Sequence, residues 1–170
     1  MRFCPYAERA RLMLNLKKVQ YELVNMNTTD LPKWYADYSP LGDVPALRVP
    51  GKVGLLFDSV IMSEYIGQNF PTEPKLLPKD EYEKGLQKVT LNVITRKVIS
   101  NLEAVAARNE KIDELKKSLK EVEELMTGQY FSGDKMGFVD VMIWPWFERI
   151  APVCEVSIRK CESVDLKMSI

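Results

Sequence analysis

The chain has no histidine. That removes Ser–His and Cys–His catalytic pairs and every metal site that needs an imidazole. Cysteine is sparse: Cys4, Cys154 and Cys161 are the only ones in 170 residues. An odd count at wide spacing argues against a disulfide framework, and three thiols cannot make a four-thiolate zinc site, so no metal is expected. Charge of one sign is also lacking, with 24 Lys+Arg against 24 Asp+Glu. No long-range attraction to nucleic acid or to an anionic membrane follows from such a balance. No apolar run is long enough to span a bilayer, and Met1-Arg2-Phe3-Cys4-Pro5 lacks an apolar signal core. The expectation is a cytoplasmic protein whose chemistry comes from thiol, carboxylate, amine or hydroxyl groups. What is present, 46% hydrophobic and 28% charged residues, fits a folded globular chain. The length falls between one large domain and two small ones.

The two halves differ in texture. Pro5 stands where an N1 proline starts a helix, and Ala7, Ala10, Met13 and Leu14 continue it over roughly 5–17. Tyr21 to Met26 alternates and reads as a strand, closed by the turn cluster Asn27-Thr28-Thr29-Asp30. Leu31 to Tyr38 reads as a short helix or irregular segment. Ala46 to Val49 and Leu55 to Phe57 are short strands joined by Pro50-Gly51-Lys52, a hairpin. Ser59 caps a helix to Asn69 whose inner side carries Ile61, Tyr65 and Ile66. Residues 71–79 contain Pro71, Pro74 and Pro78, and helices rarely pass such a stretch. The expected boundary lies there, between a domain at 1–70 and a helical domain at 80–170. In the second half, Asp80 to about Asn109 is one long helical pattern. Residues 111–127 form another, with Ile112, Leu115, Leu119, Val122, Leu125 and Met126 on one stripe and Gly128 as C-cap. A third runs from about Phe138 past Arg149, with Asp140 in its first turn and Pro145 placed to kink it. The fold class expected is α+β/α: a thioredoxin-like domain whose first strand is missing, then an all-helical domain.

Three segments carry chemistry. A cysteine just ahead of a helix faces unpaired backbone amides and the positive end of the dipole, which favour thiolate over thiol. Cys4 has that position, with Arg2, Arg9 and Arg11 adding positive potential. Ala7 stands where a dithiol enzyme would carry a second cysteine, so the second thiol must come from outside, and the obvious cytosolic source is glutathione. The plain alternative is a small buried apolar residue. Val44-Pro45 precedes a strand; in a thioredoxin-like domain such a proline is cis and leaves the preceding backbone open to pair with an extended peptide. Asp58-Ser59 sits at a strand-to-helix junction, where an acid can pair an ammonium while a hydroxyl and amides take a carboxylate. Its plain alternative is an ordinary helix cap.

These residues resemble a known family. Arg2-Phe3-Cys4-Pro5-Tyr6-Ala7-Glu8-Arg9-Ala10-Arg11-Leu12 is similar to the active-site segment of omega-class glutathione transferases. Leu41-Gly42-Asp43-Val44-Pro45-Ala46-Leu47 resembles their cis-proline segment, and Asp58-Ser59 with Glu64-Tyr65 their acidic-serine segment. Leu76-Leu77-Pro78 and Ile143-Trp144-Pro145-Trp146-Phe147-Glu148-Arg149 resemble their linker and a second-domain helix. The resemblance implies Cys4 as a nucleophile forming a mixed disulfide with glutathione. It implies Val44 and Pro45 at the cysteinyl unit, Asp58 and Ser59 at the γ-glutamyl end, and Pro5, Tyr6 and Arg149 near a pocket for a small electrophilic or oxidised substrate. Trp144 and Trp146 are expected in the core. Implied activities are dehydroascorbate reduction, methylarsonate reduction and thiol transfer, in a homodimer. Departures are Leu31 where the family has a lysine, Gly137 where it has a serine cap, a missing opening strand that should leave exposed ladder groups at 21–26, and missing final helices. A shortened, non-catalytic partner chain and a chloride-intracellular-channel-like, membrane-associating relative are the alternative readings.

Overall fold

The structure is a computed structural model that describes residues 3–70, 72–108 and 111–157. Arg2, Pro71, Cys161 and the tail to Ile170 lie outside the described residues. The chain divides into two units, Met1–Lys75 and Leu76–Ile170.

In the first unit, α1 (Pro5–Leu16) opens on proline, whose fixed φ and absent N–H suit a first helical turn. Its buried side is Arg9, Ala10, Met13 and Leu14. It packs against α3 (Ser59–Asn69). The residue capping α3 is Asp58, not Ser59, and this sets which face turns inward. Ser59, Met62, Ser63 and Ile66 are buried at helical spacing, whereas Ile61, expected inside, is 57% exposed. Between the helices, α2 (Lys33–Ala36) is a single turn. β1 (Ala46–Leu47) and β2 (Leu56–Phe57) pair antiparallel, Ala46 opposite Phe57 and Leu47 opposite Leu56. The strand expected at Tyr21–Met26 is absent. Residues 19–27 have no regular structure, and Tyr21, Leu23 and Val24 are exposed. An alternating run becomes a strand only when a neighbour takes up its N–H and C=O groups, and among the described residues β1 pairs with β2 alone.

Lys17 closes α1 in a way its sequence context did not signal. Its buried ammonium donates to the carbonyls of Thr72 and Pro74, both at 2.7 Å, and Thr72 Oγ1 donates back to the Lys17 carbonyl at 3.1 Å. Lys17→Met is expected to lose about 2–3 kcal/mol of stability, because two hydrogen bonds from a charged donor vanish and two carbonyls lose their partner. Burial lowers the Lys17 pKa from 10.5, with Glu73 pulling it back up and Lys75 adding to the fall. Below 10.5 the unfolded chain therefore holds the proton more tightly than the folded one. Stability from this group rises with pH through that window, so the gap between wild type and Lys17→Met in urea unfolding widens as pH climbs through the window just below 10.5.

The second unit is helical. Asp80 caps α4 (Glu81–Ile94) by accepting from the Glu83 amide at 2.9 Å. A π-helical turn at Thr95–Ile99 carries the chain directly into α5 (Ser100–Arg108), so the long pattern from Asp80 is one rod with an internal change of register. α6 (Ile112–Glu123) buries Leu115, Ser118, Leu119 and Val122, while Leu125 is exposed. α6 ends before Gly128, which is not its C-cap. A side chain at Gly128 would meet the backbone of Gly133 at 2.7 Å, so close approach of two loop strands requires the glycine. α7 (Phe138–Ser157) runs unbroken through Pro145 and Pro152 and packs against α4 and α5. Phe138, Met142, Ile143, Trp146 and Ile150 form the core, with Ile94, Val98 and Val105 among their buried companions. Trp146 Nε1 donates to Glu103 at 3.4 Å; Trp144 is half-buried. No described helix is long and apolar enough to cross a membrane.

Candidate functional site

Cys4 is the N-cap residue of α1, with extended backbone (φ −70°, ψ 121°), and its carbonyl accepts the Glu8 amide at 3.0 Å. Its side chain makes no hydrogen bond to the first turn and is 6% exposed. Pro5 follows at N1 and removes one donor, so the amides of Tyr6 and Ala7 open the helix. Pro5 is half-buried and Tyr6 exposed.

The hairpin brings two of the expected segments together. Val44–Pro45 is a cis bond and leads into β1; Asp58-Ser59 follows β2. With Ala46 opposite Phe57, the register sets Pro45 beside Asp58. Arg9 then ties the helix that carries Cys4 to the same place. Its guanidinium, 3% exposed, donates from Nη1 to Ser59 Oγ at 3.2 Å and lies 5.8 Å from the centre of the Tyr6 ring. A buried guanidinium is held by such contacts, since an uncompensated charge inside a protein costs several kcal/mol. Arg9 thus has a larger part than a diffuse source of potential.

The division of labour at 58–59 differs from the sequence expectation. Asp58 Oδ1 accepts from the amides of Val60 (2.8 Å) and Ile61 (3.0 Å). Those amides are consequently not open to a ligand carboxylate, and the Asp58 carboxylate offers its other oxygen outward. Ser59 is the first helical residue, and its buried hydroxyl accepts from Arg9 while retaining its own proton to donate. Asp58 also holds φ +68°, a region L-residues other than Asn and Asp rarely enter. Asp58→Ala is expected to cost about 1–2 kcal/mol, the range for a lost cap. Asp58→Asn, which keeps an accepting oxygen and tolerates positive φ, should stay within about 0.5 kcal/mol of wild type in urea unfolding.

Arg149 lies on α7 in the second unit, where its guanidinium donates to the Pro145 carbonyl and pairs with Glu148. Leu31 is half-buried, its Cδ1 at 3.6 Å from where a side chain at Gly42 would begin.

Two domain families match the chain. "Glutathione S-transferase, N-terminal domain" covers residues 1–74 and "Glutathione S-transferase, C-terminal domain" residues 105–162. Glutathione S-transferase omega-1 of Sus scrofa is 35% identical over 158 residues, which is 88% of this chain and 65% of that one. The probable glutathione transferase omega-2 of Caenorhabditis elegans is 37% identical over 157 residues, 88% and 61% of the two chains. The chain therefore spans somewhat under two thirds of the length of these curated relatives. Among solved structures, glutathione transferase Omega 3C from Trametes versicolor superposes with a TM-score of 0.79 at 24% identity, over 90% of this chain and 68% of that one. That likeness shows the fold: a thioredoxin-like N-terminal domain followed by a helical C-terminal domain.

Proposed function

The chain belongs to the glutathione S-transferase family, on the side of its omega class, and from that premise we propose that it is a glutathione-dependent thiol transferase and reductase whose nucleophile is Cys4. The observation that carries this is the position of Cys4 as N-cap of α1, on a helix that Arg9 joins to the Asp58-Ser59 corner. That position lies at the end of the helix where its unpaired amides and the positive end of its dipole are found. The Cys4 thiolate attacks the glutathionyl sulfur of a mixed disulfide; the new bond from Cys4 to glutathione forms as the old one breaks, and the other half leaves as a thiolate. Glutathione as the outside thiol then releases Cys4 and departs as glutathione disulfide. In this reading the Val44 backbone and Pro45 hold the cysteinyl unit and Asp58 and Ser59 the γ-glutamyl end. Pro5 and Tyr6 border the second substrate. Dehydroascorbate and methylarsonate are the proposed oxidised substrates, each reduced at the expense of two glutathione thiols. A cytoplasmic homodimer is the proposed working form.

The test is intact mass after exposure of the folded chain to glutathione disulfide. A single glutathionyl adduct is expected, mapped to Cys4 and removed by glutathione. An adduct at Cys154 alone, or none on folded protein, would refute the assignment.

A further inference from the structure

The segment before Val44 is stitched to itself more tightly than a surface loop needs. The amides of Tyr38 and Ser39 donate to the Tyr35 carbonyl at 3.1 and 2.9 Å, and the Gly42 amide donates to the Ser39 carbonyl at 2.8 Å. Gly42 takes φ +68°, where glycine carries no steric cost. The turn delivers the Asp43 carbonyl to two hydroxyls: Tyr35 donates to it at 2.6 Å and Ser39 at 3.3 Å. Both residues are buried, at 3% and 0% exposure, in a stretch where Asp43 itself is exposed.

That carbonyl belongs to the same planar peptide unit as the Val44 amide. In a trans peptide the N–H points opposite to the C=O, so pinning the oxygen of Asp43 fixes where the Val44 N–H aims. Among the described residues the Val44 amide has no acceptor, although Val44 is half-buried. A donor held in one direction and left unmet is what an extended ligand backbone requires.

We infer that Tyr35 and Ser39 are positioning residues of the glutathione site: by fixing the Asp43 carbonyl they aim the Val44 amide at the cysteinyl unit of the tripeptide. The inference rests on the glutathione reading above. Burial raises the Tyr35 pKa above 10.0, with the charge of Asp43 adding to the rise and the Ser39 hydroxyl opposing it, so the phenol keeps its proton to donate. Neither residue touches the reacting sulfur, so neither is catalytic.

Two measurements on Tyr35→Phe separate this inference from the functional reading. Without glutathione, the Val44 amide in an ¹⁵N-resolved spectrum should shift and exchange faster with solvent, while amides of α1 and α3 stay in place. In turnover, KM for glutathione should rise about tenfold, the effect of one lost hydrogen bond of ordinary strength, with kcat at saturating glutathione within about twofold. Ser39→Ala, which removes the longer of the two bonds, should move the same quantities in the same direction by less, and serves if Tyr35→Phe does not fold. A wild type whose Val44 amide responds to Tyr35→Phe but which binds no glutathione would sink the functional reading and leave the orientation of Val44 standing. An unmoved Val44 amide with unchanged KM in folded Tyr35→Phe, or a loss of stability as the sole effect, would overturn the inference.

Discussion

Cys4→Ser is expected to lower glutathione-dependent reduction of a small disulfide or of dehydroascorbate by at least about a hundredfold, with the urea midpoint little changed. The two side chains differ by one atom, so packing at the start of α1 is disturbed far less than by a truncation. The chemistry is disturbed completely, because a serine oxygen cannot form the disulfide on which the cycle turns. Residual rate should equal that of glutathione alone, and no glutathionyl adduct should appear. Cys154→Ser is the control. That residue is buried on α7, and its loss should cost stability at most and leave the reduction rate at saturating glutathione within about twofold. Equal rates in wild type and Cys4→Ser would remove Cys4 from the mechanism.

The elements that could be read from the sequence are those with local causes. Pro5 after a cysteine, the turn at Pro50-Gly51-Lys52 and the prolines of 71–79 each act within a few residues of themselves. α1 and the hairpin follow from the first two. The strand at Tyr21–Met26 failed because its pattern describes side chains only, and a strand also needs a neighbour. The cap at 58–59 was misassigned for another reason: Asp and Ser cap equally well, and nothing in their order shows which residue takes positive φ. Lys17, Tyr35 and Ser39 escaped notice altogether. Their partners lie 57, 8 and 4 residues away at the farthest, and all three bonds end on main-chain carbonyls with no sequence identity to read. Arg9 was visible as a charge, but that its bond reaches Ser59, 50 residues on, follows only from the packing of α1 on α3.

The second large effect is expected at the head of α7. Asp140 accepts from the amide of Gly137 with Oδ2 at 2.8 Å and from that of Phe131 with Oδ1 at 3.0 Å, so one carboxylate closes the first turn and anchors the preceding loop. Asp140→Ala leaves both amides without an acceptor and should lower stability by about 3 kcal/mol, since each orphaned donor costs roughly 1–3. Asp140→Asn should fall between, because one of its two positions then presents N–H to N–H. Burial raises the Asp140 pKa from 3.8 against the pull of those amides. The folded state then holds the proton more tightly than the unfolded one, and this group's contribution declines as pH rises through the window just above 3.8. Asp140→Asn should lack that slope. Gly137 belongs to the same device. A side chain there would begin 1.9 Å from Ser132 Oγ and 2.5 Å from Ser132 Cβ, so the serine expected from the family at this position has no room beside Ser132. Gly137→Ala alone should cost about 1–3 kcal/mol by overpacking, and adding Ser132→Gly should restore most of it. A double variant no more stable than Gly137→Ala would show that the glycine answers to its backbone and not to Ser132.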